Sequence, residues 1–314
     1  MSAPYILVPK TLLDSMLSSS SIAEPDVAMG EVIWNAATSY IVGQLVILVA
    51  THRVYQCLIA GVNATSPHLS LTGTTPRWQD IGPTNRWAAY DGEISTASTQ
   101  VSSVQWVLRP GIITAICCYG LQGGGINISY KDAPGGTVVR NFDQALYLPP
   151  VDFWDYRFGG VRQRTKALCA DLTPYVDAEV TITVTADGGG TAKVGMIAFG
   201  DLRTLVGQEN RGGTQYDASV KPISSSYVAF DAFKKLTIKR RPSTTDMQIS
   251  VVMPIEDANP ALSTMQEVLD VPVAIIGSDF DDYSGLNVFG LTSSSLSYPG
   301  PKRAQLNIDV IGLI

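Results

Sequence analysis

Residues 179–185 read Glu179-Val180-Thr181-Ile182-Thr183-Val184-Thr185. Polar and apolar side chains alternate without a break, and nearly all are β-branched. Successive side chains of a strand point to opposite faces, so this order buries Val180, Ile182 and Val184 together and leaves the threonines on a wetter face. On a helix the same residues would scatter around the axis. The stretch therefore predicts a strand of an antiparallel sheet with one covered face.

Similar runs lie on either side, at 104–108, 112–119, 126–130, 137–141 and 192–199. Turn signals separate them: Arg109-Pro110-Gly111, Asp132-Ala133-Pro134-Gly135-Gly136 and Asp187-Gly188-Gly189-Gly190. No stretch here has helical period, so residues 86–208 are expected to form an antiparallel β-sandwich. Gly120-Leu121-Gln122-Gly123-Gly124-Gly125 has the glycine density of a phosphate loop, but no helix follows and no Lys-Ser/Thr pair is present. It reads as a hairpin turn, with positive φ expected at Gly123 to Gly125.

The flanks differ. Residues 1–30 read as an anchoring segment that lies along a partner or another domain, with one short helix at 11–18. Residues 31–85 form a small β module whose buried area must come from Trp34, Tyr40, Tyr55 and Trp78. Residues 209–314 read as an α+β domain. Strands are expected at 233–240, 247–253, 273–276, 291–298 and 304–310. A helix is expected from an Asn259 cap and Pro260 to Asp270, with Leu262, Met265 and Leu269 on its buried face. The fold class is thus mainly β: a small β module, an antiparallel β-sandwich and a C-terminal α+β domain.

Composition narrows the function. The 314 residues are 45 % hydrophobic and only 16 % charged, against about 25 % charged in a typical domain. With 28 Gly and 18 Pro this is a turn-rich β composition rather than a helical bundle. The net charge of −6 speaks against a nucleic-acid partner. His52 and His68 are the only histidines, which excludes a His-rich metal site. Cys57, Cys117, Cys118 and Cys169 form no CxxC pair and read as buried small hydrophobes. Neither a Sec-type signal nor a membrane-length apolar run is visible. No cofactor is expected.

Trp34, Tyr40, Gly43, Val46, Tyr55, Pro67 and Trp78 are spaced in a way that resembles the small chitin-binding modules of bacterial chitinases. Followed by Gly82-Pro83-Thr84-Asn85-Arg86-Trp87-Ala88-Ala89-Tyr90-Asp91, the stretch is more similar to a family of tailed-phage virion proteins, in which a carbohydrate-binding-like module precedes a β-sandwich. Leu108-Arg109-Pro110-Gly111, Gly277-Ser278-Asp279 and Ile311-Gly312-Leu313 fit the same resemblance. It implies a non-enzymatic structural component of a tail, baseplate or neck, assembled in the bacterial host cytoplasm and located in the virion. Its partners would be other virion proteins and copies of itself, with a host-surface glycan as a further partner and no nucleic acid or membrane. Two alternatives stand beside it, a carbohydrate- or receptor-binding adhesin and a glycan hydrolase. One departure bears on sugar binding. Where chitin-binding modules carry exposed aromatics, this chain has Leu58-Ile59-Ala60-Gly61-Val62-Asn63, so the four module aromatics read as core.

Three stretches remain as candidate sites. Phe153, Trp154, Asp155 and Tyr156 form a Pro-led aromatic loop. It suits a contact patch, while Asp152 and Asp155 beside aromatics are what a glycosidase would use. Lys234, Lys235, Lys239, Arg240 and Arg241 form a basic cluster, read either as a wet strand face or as a docking face. Asp279, Asp281 and Asp282 form an acidic loop that lacks the calcium-loop spacing, so it reads as a solvated loop or one that meets the basic cluster of a neighbouring copy, and no metal is expected.

Overall fold

A computed structural model describes residues 3–160, 162–206, 212–230, 236–239, 243–278 and 280–313, leaving out the side chains of Asp281 and Asp282. Residues 1–30 contribute β1 (Tyr5–Pro9) and β2 (Leu17–Ser20). The small module contributes β3 (Ser39–Tyr40), β4 (Leu45–Leu48), β5 (Arg53–Cys57), β6 (Gly61–Val62) and β7 (Trp78–Pro83). Next come β8 (Ser98–Val101), β9 (Ser103–Leu108), β10 (Ala115–Tyr119), β11 (Gly125–Lys131), β12 (Val138–Ala145) and α1 (Phe153–Phe158). They are followed by β13 (Lys166–Cys169), β14 (Glu179–Thr185), β15 (Thr191–Val194) and β16 (Met196–Thr204). The remainder carries β17 (Gly213–Thr214), β18 (Ser219–Ser224), β19 (Tyr227–Phe230), β20 (Leu236–Lys239) and β21 (Ser243–Pro254). It ends with α2 (Ile255–Glu267), β22 (Val273–Ile276), β23 (Asn287–Gly300) and β24 (Arg303–Gly312).

The fold is mainly β, with 48 % strand and 12 % helix in antiparallel sheets. The alternating stretch at 179–185 is β14, the centre of a five-stranded sheet ordered β12-β11-β14-β9-β2. Val180, Ile182 and Val184 pack with Trp106 and Ile128 against Ile116, Cys118, Ile197 and Phe199 of a second sheet. That sheet has ten strands, ordered β13-β10-β16-β1-β22-β23-β24-β21-β17, with β18 also paired to β21. It curls into a half-barrel. Because neighbouring strand residues face opposite ways, Cys118 joins the core between the sheets while Cys117 points to the other face with Leu7, Tyr119 and Phe289. The small module is a three-stranded β4-β5-β7 sheet around Tyr40, Val46, Tyr55, Cys57 and Trp78, with Trp34 partly buried against them.

Several expectations are corrected. Of the two arrangements expected for the first thirty residues, a partner or another domain, the structure has the second: β1 is an interior strand between β16 and β22. Ile6 and Leu7 are both buried, one on each face, so the run Tyr-Ile-Leu-Val is a strand covered on both sides. The helix expected at 11–18 is only a single 3₁₀ turn at Asp14–Met16, after which β2 pairs with β9. The division expected at residue 208 is not a break in the sheet, since β16 and β22 flank one shared strand.

Gly120 to Gly125 joins strands of different sheets and is not a hairpin turn. Among the three glycines at 123–125 only Gly123 has a positive φ, and a Cβ there would lie 2.5 Å from the Thr185 carbonyl oxygen. What Gly123 permits is close approach. The strand expected at 192–199 breaks at Gly195 into β15 and β16, which enter different sheets. A short helix, α1, replaces the loop expected around Trp154.

The terminal helix begins at Ile255 rather than after Asn259, with Glu256 and Asp257 in its first turn, where acidic groups meet the positive end of the helix dipole. Pro260 therefore lies inside the helix and removes one backbone hydrogen bond. The buried face is Ala258, Ala261, Met265 and Val268, and Leu269 is exposed. Two small alanines let the helix lie close on the sheet.

Candidate interaction surfaces

The junction whose residues carried the family resemblance is where three parts of the chain are tied. Glu24, from the first thirty residues, is buried among three donors. Thr84 Oγ1 donates to its Oε1 at 2.8 Å, and Trp87 Nε1 to its Oε2 at 3.1 Å. His52 Nδ1 lies 2.9 Å from the same Oε2. The other ring nitrogen of His52 lies 3.1 Å from Asp14 Oδ2. Next to Thr84, the side chain of Asn85 donates to Asp26 Oδ2 at 2.6 Å and to the carbonyl of Thr99 at 2.9 Å, and its backbone N–H donates to Glu31 at 2.8 Å. Composition gave no hint of this network, because its members lie up to 85 residues apart, Asp14 to Thr99. It is structural: apart from His52 Nε2 and Asp14, which lie close without a hydrogen bond between them, each polar side chain named is hydrogen-bonded within the chain.

The aromatic stretch at 153–156 is placed on α1. Asp152 caps the helix, accepting from the Asp155 backbone N–H at 2.7 Å. Asp155 Oδ2 accepts from the Val151 N–H at 2.8 Å and from Arg162 Nη2 at 2.5 Å. The Val151 hydrogen bond, helped by Arg162, holds the Asp155 carboxyl below its ordinary range. A glycosidase acid needs a raised value, the opposite of what Asp155 shows, and Asp152 is engaged in capping the helix. The aromatics are what the loop presents. Phe153, Trp154, Tyr156 and Phe158 are 67–75 % exposed. Trp154 and Phe158 stack at 5.5 Å, with Phe153 edge-on to Trp154. Phe158 belongs with the three aromatics expected from the sequence, and its i, i+4 spacing from Trp154 is the signal that a helix reading would have used.

A second apolar surface lies on the two-stranded ribbon β19-β20. Val228 pairs with Ile238 and Phe230 with Leu236. Directly opposed residues share a face, so these four side chains form one apolar face, and each is 48–68 % exposed. Tyr227, Ala229, Thr237 and Lys239 form the other face. Among the expected docking residues, Lys239 is exposed on β20. Lys234, Lys235, Arg240, Arg241 and Asp279 lie outside the described residues, as do the side chains of Asp281 and Asp282. Alternation in the sequence already sets Leu236 and Ile238 opposite Thr237 and Lys239; β19, whose Val228 and Phe230 complete the apolar face, was not expected.

Among the described residues no group of three or more His, Cys, Asp or Glu side chains could hold a metal ion. Among the described residues no helix is long and apolar enough to cross a membrane.

No known protein family matches the chain, and no curated protein does. Among solved structures, a chitosan-binding module from a chitosanase/glucanase of Paenibacillus sp. IK-5 is similar over 36 % of this chain and 81 % of its own, with 6 % identity and a TM-score of 0.24. A likeness this slight transfers neither fold nor ligand.

Proposed function

We propose that the protein is a non-enzymatic structural component of a multi-copy assembly, a tailed-phage virion, and that the β19-β20 ribbon docks on a neighbouring subunit. The observation that carries this reading is the register of the ribbon, which gathers Val228, Phe230, Leu236 and Ile238 on one uncovered face. A two-stranded ribbon is marginal in water unless one face is packed, and contiguous exposed apolar patches mark contact surfaces. The virion assignment is supported by the sequence resemblance at the 82–91 junction.

The test is assembly. Purified particles from the source, analysed by mass spectrometry and imaged at side-chain resolution, should contain the chain with the ribbon face covered by a neighbour. Phe230→Ser with Ile238→Ser should leave the chain folded and block its incorporation. Normal incorporation, or absence of the chain from particles, would refute the reading.

The aromatic surface of α1 favours a second reading, a glycan- or receptor-binding adhesin. Stacked aromatics with open faces suit sugar rings. Saturable retention on a host polysaccharide, lost in Trp154→Ala, would support it.

A further inference from the structure

A pocket of about 420 Å³ opens beside Tyr119 and Phe289, where the curled sheet brings distant strands together. Its walls include Lys166 of β13, Lys193 of β15, and the hydroxyl-bearing Thr165, Ser243 and Thr245. Among the described residues no Asp or Glu lines the pocket, in a chain where acidic residues outnumber basic ones by 28 to 22. Lys166 donates to the backbone carbonyl of Asn287, and Asn287 Oδ1 in turn accepts from the Tyr119 hydroxyl at 2.6 Å. These contacts fix the ammonium without neutralising it. Among the described residues neither Lys166 nor Lys193 forms an ion pair. Burial pulls the Lys166 ammonium below its ordinary range, the expected sign for a desolvated cation lacking a counter-charge.

Burying an unpaired cation is unfavourable, and the usual remedies are a carboxylate partner or a bound anion. Among the described residues this site lacks the first. Its size is that of a small-molecule pocket, and its hydroxyls can both donate to and accept from polar groups on a ligand.

We infer that this pocket binds a small hydroxylated anion, with Lys166 and Lys193 receiving a carboxylate or phosphate and the Ser/Thr wall receiving ligand hydroxyls. The site is independent of the ribbon and of α1.

The full chain would be titrated with sodium galacturonate, galactose 1-phosphate, inorganic phosphate and neutral galactose, at constant ionic strength, by calorimetry and thermal unfolding. Galacturonate or galactose 1-phosphate should bind saturably and raise the melting temperature, more tightly than phosphate, while galactose should have no effect. Lys166→Met should fold, since it removes an unpaired cation, and should lose about tenfold or more in affinity. Lys193→Gln lies on another strand and should weaken binding too, which keeps the test decisive if Lys166→Met fails to fold. Absence of saturable binding by all three anions, or unchanged binding in the lysine variants, would overturn the inference. Phosphate binding as tightly as the sugar anions would overturn its hydroxyl half.

Discussion

The imidazole of His52 stacks on the indole of Trp87, with ring centroids 4.2 Å apart and planes 24° apart. Both rings also reach the same oxygen of Glu24, His52 through Nδ1 and Trp87 through Nε1. One buried carboxylate thus joins the turn before β5 to the segment that opens the sandwich.

Glu24→Ala should destabilise the chain by roughly 3 kcal/mol, because it strands several buried donors at once. Urea unfolding monitored by tryptophan fluorescence would measure this. Glu24→Gln should cost less, since the amide oxygen can still accept from Thr84 or Trp87. Equal stability of Glu24→Ala and the parent would remove the clamp from the account.

The aromatic core of the small module sets a second expectation. Trp78 is fully buried and meets Tyr40 edge-on at 5.2 Å. Trp78→Ala should cost about 3–5 kcal/mol, read as early loss of the module's amide protection in hydrogen exchange. Trp154→Ala, on the exposed face of α1, should change stability by less than about 0.5 kcal/mol. Comparable losses for the two would contradict their placement in core and surface.

Removing residues 1–10 should prevent folding, because β16 and β22 would each lose their shared neighbour. In the intact chain residues 5–9 should resist protease without any partner present. A soluble, native-like truncated protein would show that the large sheet closes without β1.

Burial pushes the Cys117 thiol up to about 12 and Cys169 to about 11, from an ordinary value of 9.0. The folded thiols should therefore ignore thiol reagents at pH 8 until denaturant is added. The stability sign follows from the same shift. Below pH 9 both states hold the thiol proton, so the contribution is intact. Between about 9 and 12 the unfolded chain releases the proton first, so stability falls as pH rises. Thermal melts from pH 8 to 11 would check the direction.

What could be read from the sequence was local. The strict alternation of β14 stands alone as a strand signal, and the module aromatics had no other source of core. The placement of β1 could not be read this way, because an apolar run covered on both faces looks the same whether its partners lie within the chain or outside it. The helix start was misplaced because Pro260 is a strong N1 signal, while packing of Ala258 and Ala261 extended the helix through it. At the candidate sites the aromatic residues were legible as types, but Lys166 and Lys193 line one pocket from β13 and β15, strands of different sheets, and such a juxtaposition leaves no mark on neighbouring residues.

The interior position of β1 also makes biosynthesis a length check. Residues 5–9 are made early, yet their partners end only at Thr204 and Ile276. At about 5–20 residues added per second, the strand waits roughly tens of seconds for its second neighbour. Such long-range closure is slow and leaves an apolar edge open meanwhile. A prematurely terminated chain would keep that edge open for good, handing chaperones and proteases a signal that a finished chain withdraws.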